Sequence, residues 1–347
     1  MNKNYPIISN NIIKWIKLKP QYIQGIILPS LPRNYLCQRL PQKFKKSVRK
    51  EVWDLSENSA GVNISFISDT SELIVKWNIK NDLSMNHMTD AGIKGIDLYR
   101  KKDNYWHYIN TGLPKNKQNE QVLFKGLSKK LREYRLHLPL YDTLTNIQFG
   151  LDKTSRLISI ENKKKPIIFY GTSITQGGCA SRPGLAYTNI ISRELNNECI
   201  NLGFSGNGHL EKSIGKIISK IDAKIYVIEC MANIDKNIIK KNTIPLINTI
   251  RKNLNNQNTP IVFFEQCVDL NSLDKNFIKS VLEKNNELKI QIEKAINIGE
   301  KELYIIKQIG CIDKDNESTV DGIHFNDLGF KRYAKHFIKN IYRLGIF

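Results

Sequence analysis

Pro166-Ile167-Ile168-Phe169-Tyr170-Gly171-Thr172-Ser173-Ile174-Thr175-Gln176-Gly177-Gly178 is the stretch that decides the fold. Four apolar residues after a proline read as a short strand covered on both faces, since a strand solvated on one face would alternate. Gly171, Gly177 and Gly178 then permit a sharp turn and a close approach of backbone to a ligand. Ser173 stands in that turn, at the C-terminal end of the strand, where open α/β sheets gather their ligands. A lone Gly-x-Ser also fits an ordinary Ser/Thr-rich turn before a helix, so the rest of the chain must decide.

Downstream, apolar runs alternate with helical patterns. Strands are expected at 167–170, 198–203, 224–230, 260–266 and 302–309, and helices near 184–196, 209–221, 236–254, 273–298 and 327–344. That order implies a parallel sheet between two helix layers, with right-handed crossovers. Five strands fit the flavodoxin-like order 2-1-3-4-5 of a three-layer α/β/α domain. Upstream the chain is β-rich. Gly61–Ser68 and Glu72–Ile79 alternate with a period of two, and Tyr105–Ile109 and Tyr134–Leu140 are aromatic-rich or alternating segments. Short strands at this spacing predict a β-sandwich. Lys163-Lys164-Lys165-Pro166 reads as an exposed junction, which gives two domains, 1–160 and 161–347.

Apolar content of 41% and charged content of 25% are ordinary for a globular chain of 347 residues, which is long enough for two cores. The net charge of +20 permits a polyanion partner. The lysines are scattered beside Asn and Ile, however, and no zinc finger, Arg-rich arm or aromatic-basic RNA motif occurs, so no nucleic-acid partner is expected. Cys37, Cys179, Cys199, Cys230, Cys267 and Cys311 form no C-x-x-C pair and are read as reduced thiols, Cys179 partly exposed. No run of about 18 apolar residues occurs, so no membrane span is expected. The first residues lack the pattern of a secretory leader, which makes the cytoplasm the default expectation and secretion the alternative if a leader has been removed.

Three more stretches carry chemistry. In Val320-Asp321-Gly322-Ile323-His324, an Asp three residues before a His can hold the Nδ1 proton and turn Nε2 toward a serine. Asn326 or Asp327 is then placed to cap the helix that follows. Ser205-Gly206 follows the second strand and Glu229-Cys230-Met231-Ala232-Asn233 the third. Parallel strands present their C-terminal ends together, so both should reach the rim of Ser173. There the Gly206 N–H and the Asn233 amide are candidate donors to an oxyanion. His209, beside Gly206, is the rival to His324, and Arg182 reads as a solvated loop charge or a contact to a polar substrate group.

Together these blocks resemble the SGNH (GDSL-type) hydrolase superfamily. Gly171-Thr172-Ser173-Ile174-Thr175, Ser205-Gly206, Asn233 and Asp321 to His324 occur in that family's order over roughly 160 residues. Two departures stand out: Thr172 replaces the Asp of the name-giving motif, and Asn233 lacks the usual Gly-x-Asn-Asp context. Gly95-Ile96-Asp97-Leu98-Tyr99, followed by Trp106, is similar to the GxDLY-type β-domain that precedes such domains in a bacterial esterase subfamily. Its own residues read first as a structural strand and turn. The polar loop Asn86–Asp90 before it is a candidate to lean over the site.

The resemblance implies Ser173 as nucleophile, His324 as general base, Asp321 as its orienting carboxylate, and an oxyanion hole of Ser173 N–H, Gly206 N–H and the Asn233 amide. It implies a short acyl ester as substrate, O-acetyl on carbohydrate in the first place, with no cofactor. No HExxH or His/Cys ligand cluster is visible in sequence to hold a metal. An acyltransferase using the same triad and a non-catalytic glycan-binding protein are the alternatives.

Overall fold

The computed structural model describes residues 12–270, 272–313 and 315–347. Two antiparallel sheets make the N-terminal domain. One runs Ile13–Lys17, Leu144–Asp152, Leu73–Ile79, Gln118–Phe124. The other runs Leu157–Ser159, Asn63–Ser68, Arg132–His137, Ile96–Lys102, Tyr105–Gly112, with Ile23–Gln24 also beside Asn63–Ser68. The period-two pattern does what it should: Leu73, Val75, Trp77 and Ile79 are buried while the residues between them are half-exposed. The two inner faces meet at Phe66 and Phe149, with ring centroids 5.0 Å apart. Gln118–Phe124 lies outside the segments marked by alternation. It is an edge strand of polar composition, and edge strands need not show an apolar face.

The C-terminal domain holds five parallel strands, Ile167–Gly171, Cys199–Gly203, Ile225–Glu229, Ile261–Phe264 and Leu303–Ile306. Their spatial order is second, first, third, fourth, fifth, the order expected from the sequence. The unbroken apolar run of the first strand has a physical cause. Ile168 and Tyr170 pack toward helices Lys212–Ile218, Lys236–Arg251 and Lys275–Asn297, while Ile167 and Phe169 pack toward Tyr187–Glu194 and Asp327–Arg343. No helix of the described residues is long and apolar enough to cross a membrane.

One expectation fails. Cys267 and Cys311 form a disulfide across 44 residues. They lie after the fourth and fifth strands, which are hydrogen-bonded neighbours, so the loops leaving those strands are adjacent in space though distant in sequence. Cys37, Cys179, Cys199 and Cys230 are free thiols, and all four are buried, Cys179 included.

The two domains interlock. Ile27, Leu40, Phe44, Val52 and Trp53, N-terminal in sequence, belong to the core on one face of the parallel sheet. Arg39 is wholly buried between the domains. It donates to the carbonyls of Leu55 and Asn58 on one side and of Asn201 and Gly203 on the other, and its guanidinium lies 4.9 Å from the Phe204 ring centroid.

The Asp of the Gly95–Tyr99 motif is a second clasp. Asp97 Oδ2 accepts from Arg182 at 2.7 Å and from the Gly184 N–H at 2.9 Å, while Oδ1 accepts from Thr111 at 2.6 Å. The Tyr99 hydroxyl takes a further bond from Arg182 at 2.7 Å. Arg182 is therefore not a solvated loop charge; it ties the loop behind Ser173 to the sandwich. Replacing the fully buried Asp97 by Ala leaves Arg182 and the Gly184 N–H without their acceptor. Asp97→Ala is expected to cost about 3–5 kcal/mol, read as a lowered urea midpoint; a midpoint within error of wild type would show that the clasp contributes nothing.

Candidate active site

Ser173 opens a four-residue helix, Ser173–Gln176, directly after the first parallel strand. Thr172 precedes it in extended conformation and caps it, its hydroxyl oxygen accepting from the Ile174 N–H at 3.1 Å. Gly177, at φ +108°, ends it in the left-handed region. Gly178 has to be a glycine for another reason: a Cβ there would stand 2.8 Å from the Tyr141 hydroxyl and 3.5 Å from His324 Cδ2.

The sequence-predicted Ser, His and Asp come together. Ser173 Oγ lies 2.9 Å from His324 Nε2, and His324 Nδ1 lies 2.7 Å from Asp321 Oδ2. A carboxylate oxygen can only accept here, so Nδ1 carries the proton and Nε2 offers its lone pair to the serine hydroxyl. Asp321 Oδ1 accepts the backbone N–H of His324 at 2.8 Å and of Ile323 at 3.0 Å. Burial pushes the Asp321 carboxyl up, but these N–H donors and the imidazole outweigh it and hold the group below its ordinary value. Asn326, as expected, caps the following helix by accepting from the Gly329 N–H at 2.9 Å.

The loops that carry Gly206 and Asn233 are braced by backbone and side-chain hydrogen bonds. The loop after the second strand is held by Phe204 N–H on Gly171 O, Ser205 N–H on Gln176 Oε1 and Asn207 N–H on Phe204 O, at 2.8–2.9 Å. Gly206 sits at φ +68°, and among the described residues its N–H meets no acceptor. Its carbonyl accepts from His209 Nε2 at 3.0 Å, so the rival histidine is a brace for this loop. Asn233 follows the third strand, and its Oδ1 accepts the Gly208 N–H at 3.2 Å. That bond fixes the amide and leaves Nδ2 as its free end. Arg49 reaches in from the N-terminal part of the chain to Asn207 and Glu211, at 2.8 and 2.6 Å.

Other histidines are elsewhere. His336 donates to Lys307 O, and buried His137 pairs with Arg193. His87, from the polar loop Asn86–Asp90, does lean over the site: its ring stands edge-on to His324, centroids 5.7 Å apart. Cys179 is the other unassigned neighbour; burial first, and Asp321 second, push its thiol up to about 11. It is a protonated thiol and no competitor to Ser173 as nucleophile.

Sequence reasoning left Glu229 without a role. Its Oε2 accepts from the hydroxyls of Thr172 and Thr175, both at 2.8 Å, and from the Thr172 N–H at 3.3 Å. Thr175 Oγ1 also lies 2.9 Å from the Tyr187 hydroxyl. The signal was present: a lone acid closing an otherwise apolar strand, Ile225-Tyr226-Val227-Ile228-Glu229. Burial pushes the Glu229 carboxyl up to about 7, against the Thr172 and Thr175 hydrogen bonds that pull it down.

The unfolded chain releases this proton near 4.5, whereas the fold holds it to about 7. Between those values the native state binds the extra proton, so this contribution is complete below the lower pKa and is lost as pH rises through the upper one. Its size is about 3 kcal/mol, at about 1.4 kcal/mol per pH unit. Glu229→Gln keeps an acceptor and removes the titration. The variant is therefore expected to gain stability relative to wild type between pH 5 and pH 8 in denaturant titrations. Parallel pH curves would assign the titration to another group.

The GDSL-like lipase/acylhydrolase family model matches residues 164–342, and the model for the N-terminus of SGNH-hydrolase-type esterases matches residues 13–157. No curated protein matches the chain in sequence. Among solved structures, a protein described as a GDSL-like lipase from Bacteroides ovatus is 31% identical, covers 96% of this chain and 98% of its own, and superimposes with a TM-score of 0.88. The salicylyl-acyltransferase SsfX3 of a tetracycline biosynthetic pathway shares the fold at 16% identity, with the same coverage and a TM-score of 0.77. A family two carbohydrate esterase from Clostridium thermocellum, solved with cellohexaose, shares it at 14% identity over 83% of this chain and 94% of its own, with a TM-score of 0.60. The chain thus belongs to the GDSL-like lipase/acylhydrolase family, as an SGNH-type esterase with a GxDLY-type domain at its N-terminal side.

Proposed function

We propose that the enzyme removes short acyl groups, O-acetyl foremost, from a carbohydrate, through an acyl-enzyme on Ser173. The observation that carries this reading is the unbroken chain from Ser173 Oγ through His324 to Asp321, at 2.9 and 2.7 Å. Ser173 Oγ attacks the ester carbonyl carbon while its proton passes to His324 Nε2. Asp321 keeps the imidazolium oriented. The Ser173 and Gly206 N–H groups and Asn233 Nδ2 donate to the oxygen that gains charge. Collapse expels the alkoxide, which takes the proton from His324. A water molecule then attacks the acyl-serine by the same exchange, releasing the acid and restoring Ser173.

Carbohydrate as the alcohol part is supported by fold likeness to the carbohydrate esterase and by the subfamily resemblance of the Gly95–Tyr99 region. The division of the chain is drawn at 1–160 and 161–347. Exposed Lys163–Lys165 and the gap between the two family matches, 157 to 164, support it.

Hydrolysis of a short-to-long p-nitrophenyl acyl series and of acetylated oligosaccharides tests the proposal. Wild type is expected to favour the shortest chains and to release acetate from the sugars. Ser173→Ala should lower turnover by several decades with the fold intact, and Asn233→Ala by about 10²–10³. Undiminished turnover in Ser173→Ala would end the serine mechanism, and acyl transfer to an added alcohol in preference to water would make the enzyme a transferase.

A further inference from the structure

The sequence shows no His/Cys ligand cluster, yet the fold assembles one on the face of the triad. His87, Cys179 and His324 each offer a ligand atom, and those atoms lie within 4.8 Å of one another. The three come from distant places: the Asn86–Asp90 loop of the sandwich, the loop after the nucleophile turn, and the loop before the last helix.

The backbones of His87 and Cys179 are anchored. His87 sits in a tight turn closed by a bridge between Met85 and Met88, and Met88 is anchored in the core of the α/β domain. Thr89, two residues on, donates to Ser181 O at 2.5 Å. Cys179 holds φ +71°, a left-handed backbone that residues with a Cβ adopt at a cost. Its side chain is buried rather than turned to solvent, and its thiol has no part in the proposed hydrolysis.

We propose that His87, Cys179 and His324 form an inhibitory binding site for a thiophilic divalent ion, Zn2+ in the first place. The proposal rests on the reading of His324 as the general base. Two imidazoles and a thiolate are a donor set for Zn2+, Co2+ or Cd2+ and a poor one for Mg2+ or Ca2+. Tetrahedral Zn2+ needs its donors about 3.3–3.7 Å apart, from bonds of about 2.0–2.3 Å. Exposed His87 can close the remaining gap by turning its side chain.

The outer shell is already in place. Asp321 holds Nδ1 of His324, as carboxylates do behind zinc-bound histidines, and leaves Nε2 as the ring's remaining donor atom. On binding, the Cys179 thiol gives its proton to solvent and its sulfur bonds the ion. The Nε2 lone pair of His324 goes to the metal, so Ser173 loses its proton acceptor. The ion is an inhibitor that competes with the hydroxyl of Ser173 for one nitrogen.

The test uses the full chain, with EDTA removed, titrated with ZnSO4 by calorimetry and with CoCl2 by absorbance. One Zn2+ per chain is expected at micromolar concentration, and none with MgCl2 at millimolar. Co2+ should give a thiolate charge-transfer band that is absent in Cys179→Ser. Both Cys179→Ser and His87→Ala should bind Zn2+ at least tenfold more weakly, and Cys179→Ser should hydrolyse esters in zinc concentrations that stop wild type. EDTA should restore the wild type. No stoichiometric binding, or equal affinity in all three proteins, overturns the site. Binding with the expected losses in a protein that hydrolyses no ester supports the site and counts against the esterase reading alone. His87 lies on the surface, so its variant serves even if Cys179→Ser fails to fold.

Discussion

One buried carboxylate oxygen organises the turn that carries Ser173. Glu229 Oε2 gathers three donors from Thr172 and Thr175, the residues on either side of Ser173-Ile174. Ser173 stands just past the C-terminal end of a buried strand, and the turn presenting it is tied down at both flanks by a neighbouring strand. This gives the Thr172 departure a physical reading. The hydroxyl of Thr172 donates to Glu229, whereas an Asp at that position would set a second carboxylate against a first that is already buried and hard to ionise. Threonine keeps the capping oxygen for Ile174 and adds the donor that Glu229 needs.

The sandwich is more than an appendage to the sheet. Arg39 spans Asn58 and Gly203, Arg49 braces Asn207, and Asp97 with Tyr99 holds Arg182. These contacts bear on the two loops flanking the reacting atoms: the donor loop around Gly206 and the loop from Gly177 to Gly184. The GxDLY-type residues thus act by positioning. Their carboxylate and hydroxyl are engaged with Arg182, and Asp97 with Gly184 besides, which leaves neither turned to a substrate.

Where local pattern sufficed, the structure was legible in the sequence. The five parallel strands carry dense apolar runs between helical segments; four lie within the expected ranges, and the first runs one residue past its range, to Gly171. The contact of His324 with Asp321 was legible from its i, i+3 spacing, whereas bringing Ser173 to His324 needed the order of all four blocks and the resemblance they carry. What remained hidden depends on which strands become neighbours. Cys267 and Cys311 meet because the fourth and fifth strands pair, and His87 meets His324 because the sandwich docks on the rim. Arg182 reads as a loop charge until its partner, 85 residues earlier, is brought beside it. The edge strand Gln118–Phe124 buries only Asn119 and Leu123, one of them polar, so no apolar alternation marks it.

The exposure of Asp321 limits what it can contribute. Its side chain is 39% exposed, so water screens its charge, and its worth as a bare ion near the imidazolium is modest. Its two oxygens are divided instead: Oδ1 is pinned by two backbone N–H groups of its own loop, and Oδ2 is left to the ring. A carboxylate fixed in this way sets the tautomer and the plane of His324 even where its field is weak. The same division leaves the Nε2 lone pair as the ring's free acceptor, 2.9 Å from Ser173 Oγ. Whether the Ser173 hydroxyl or a bound metal ion holds that lone pair decides whether the proposed site is open for chemistry.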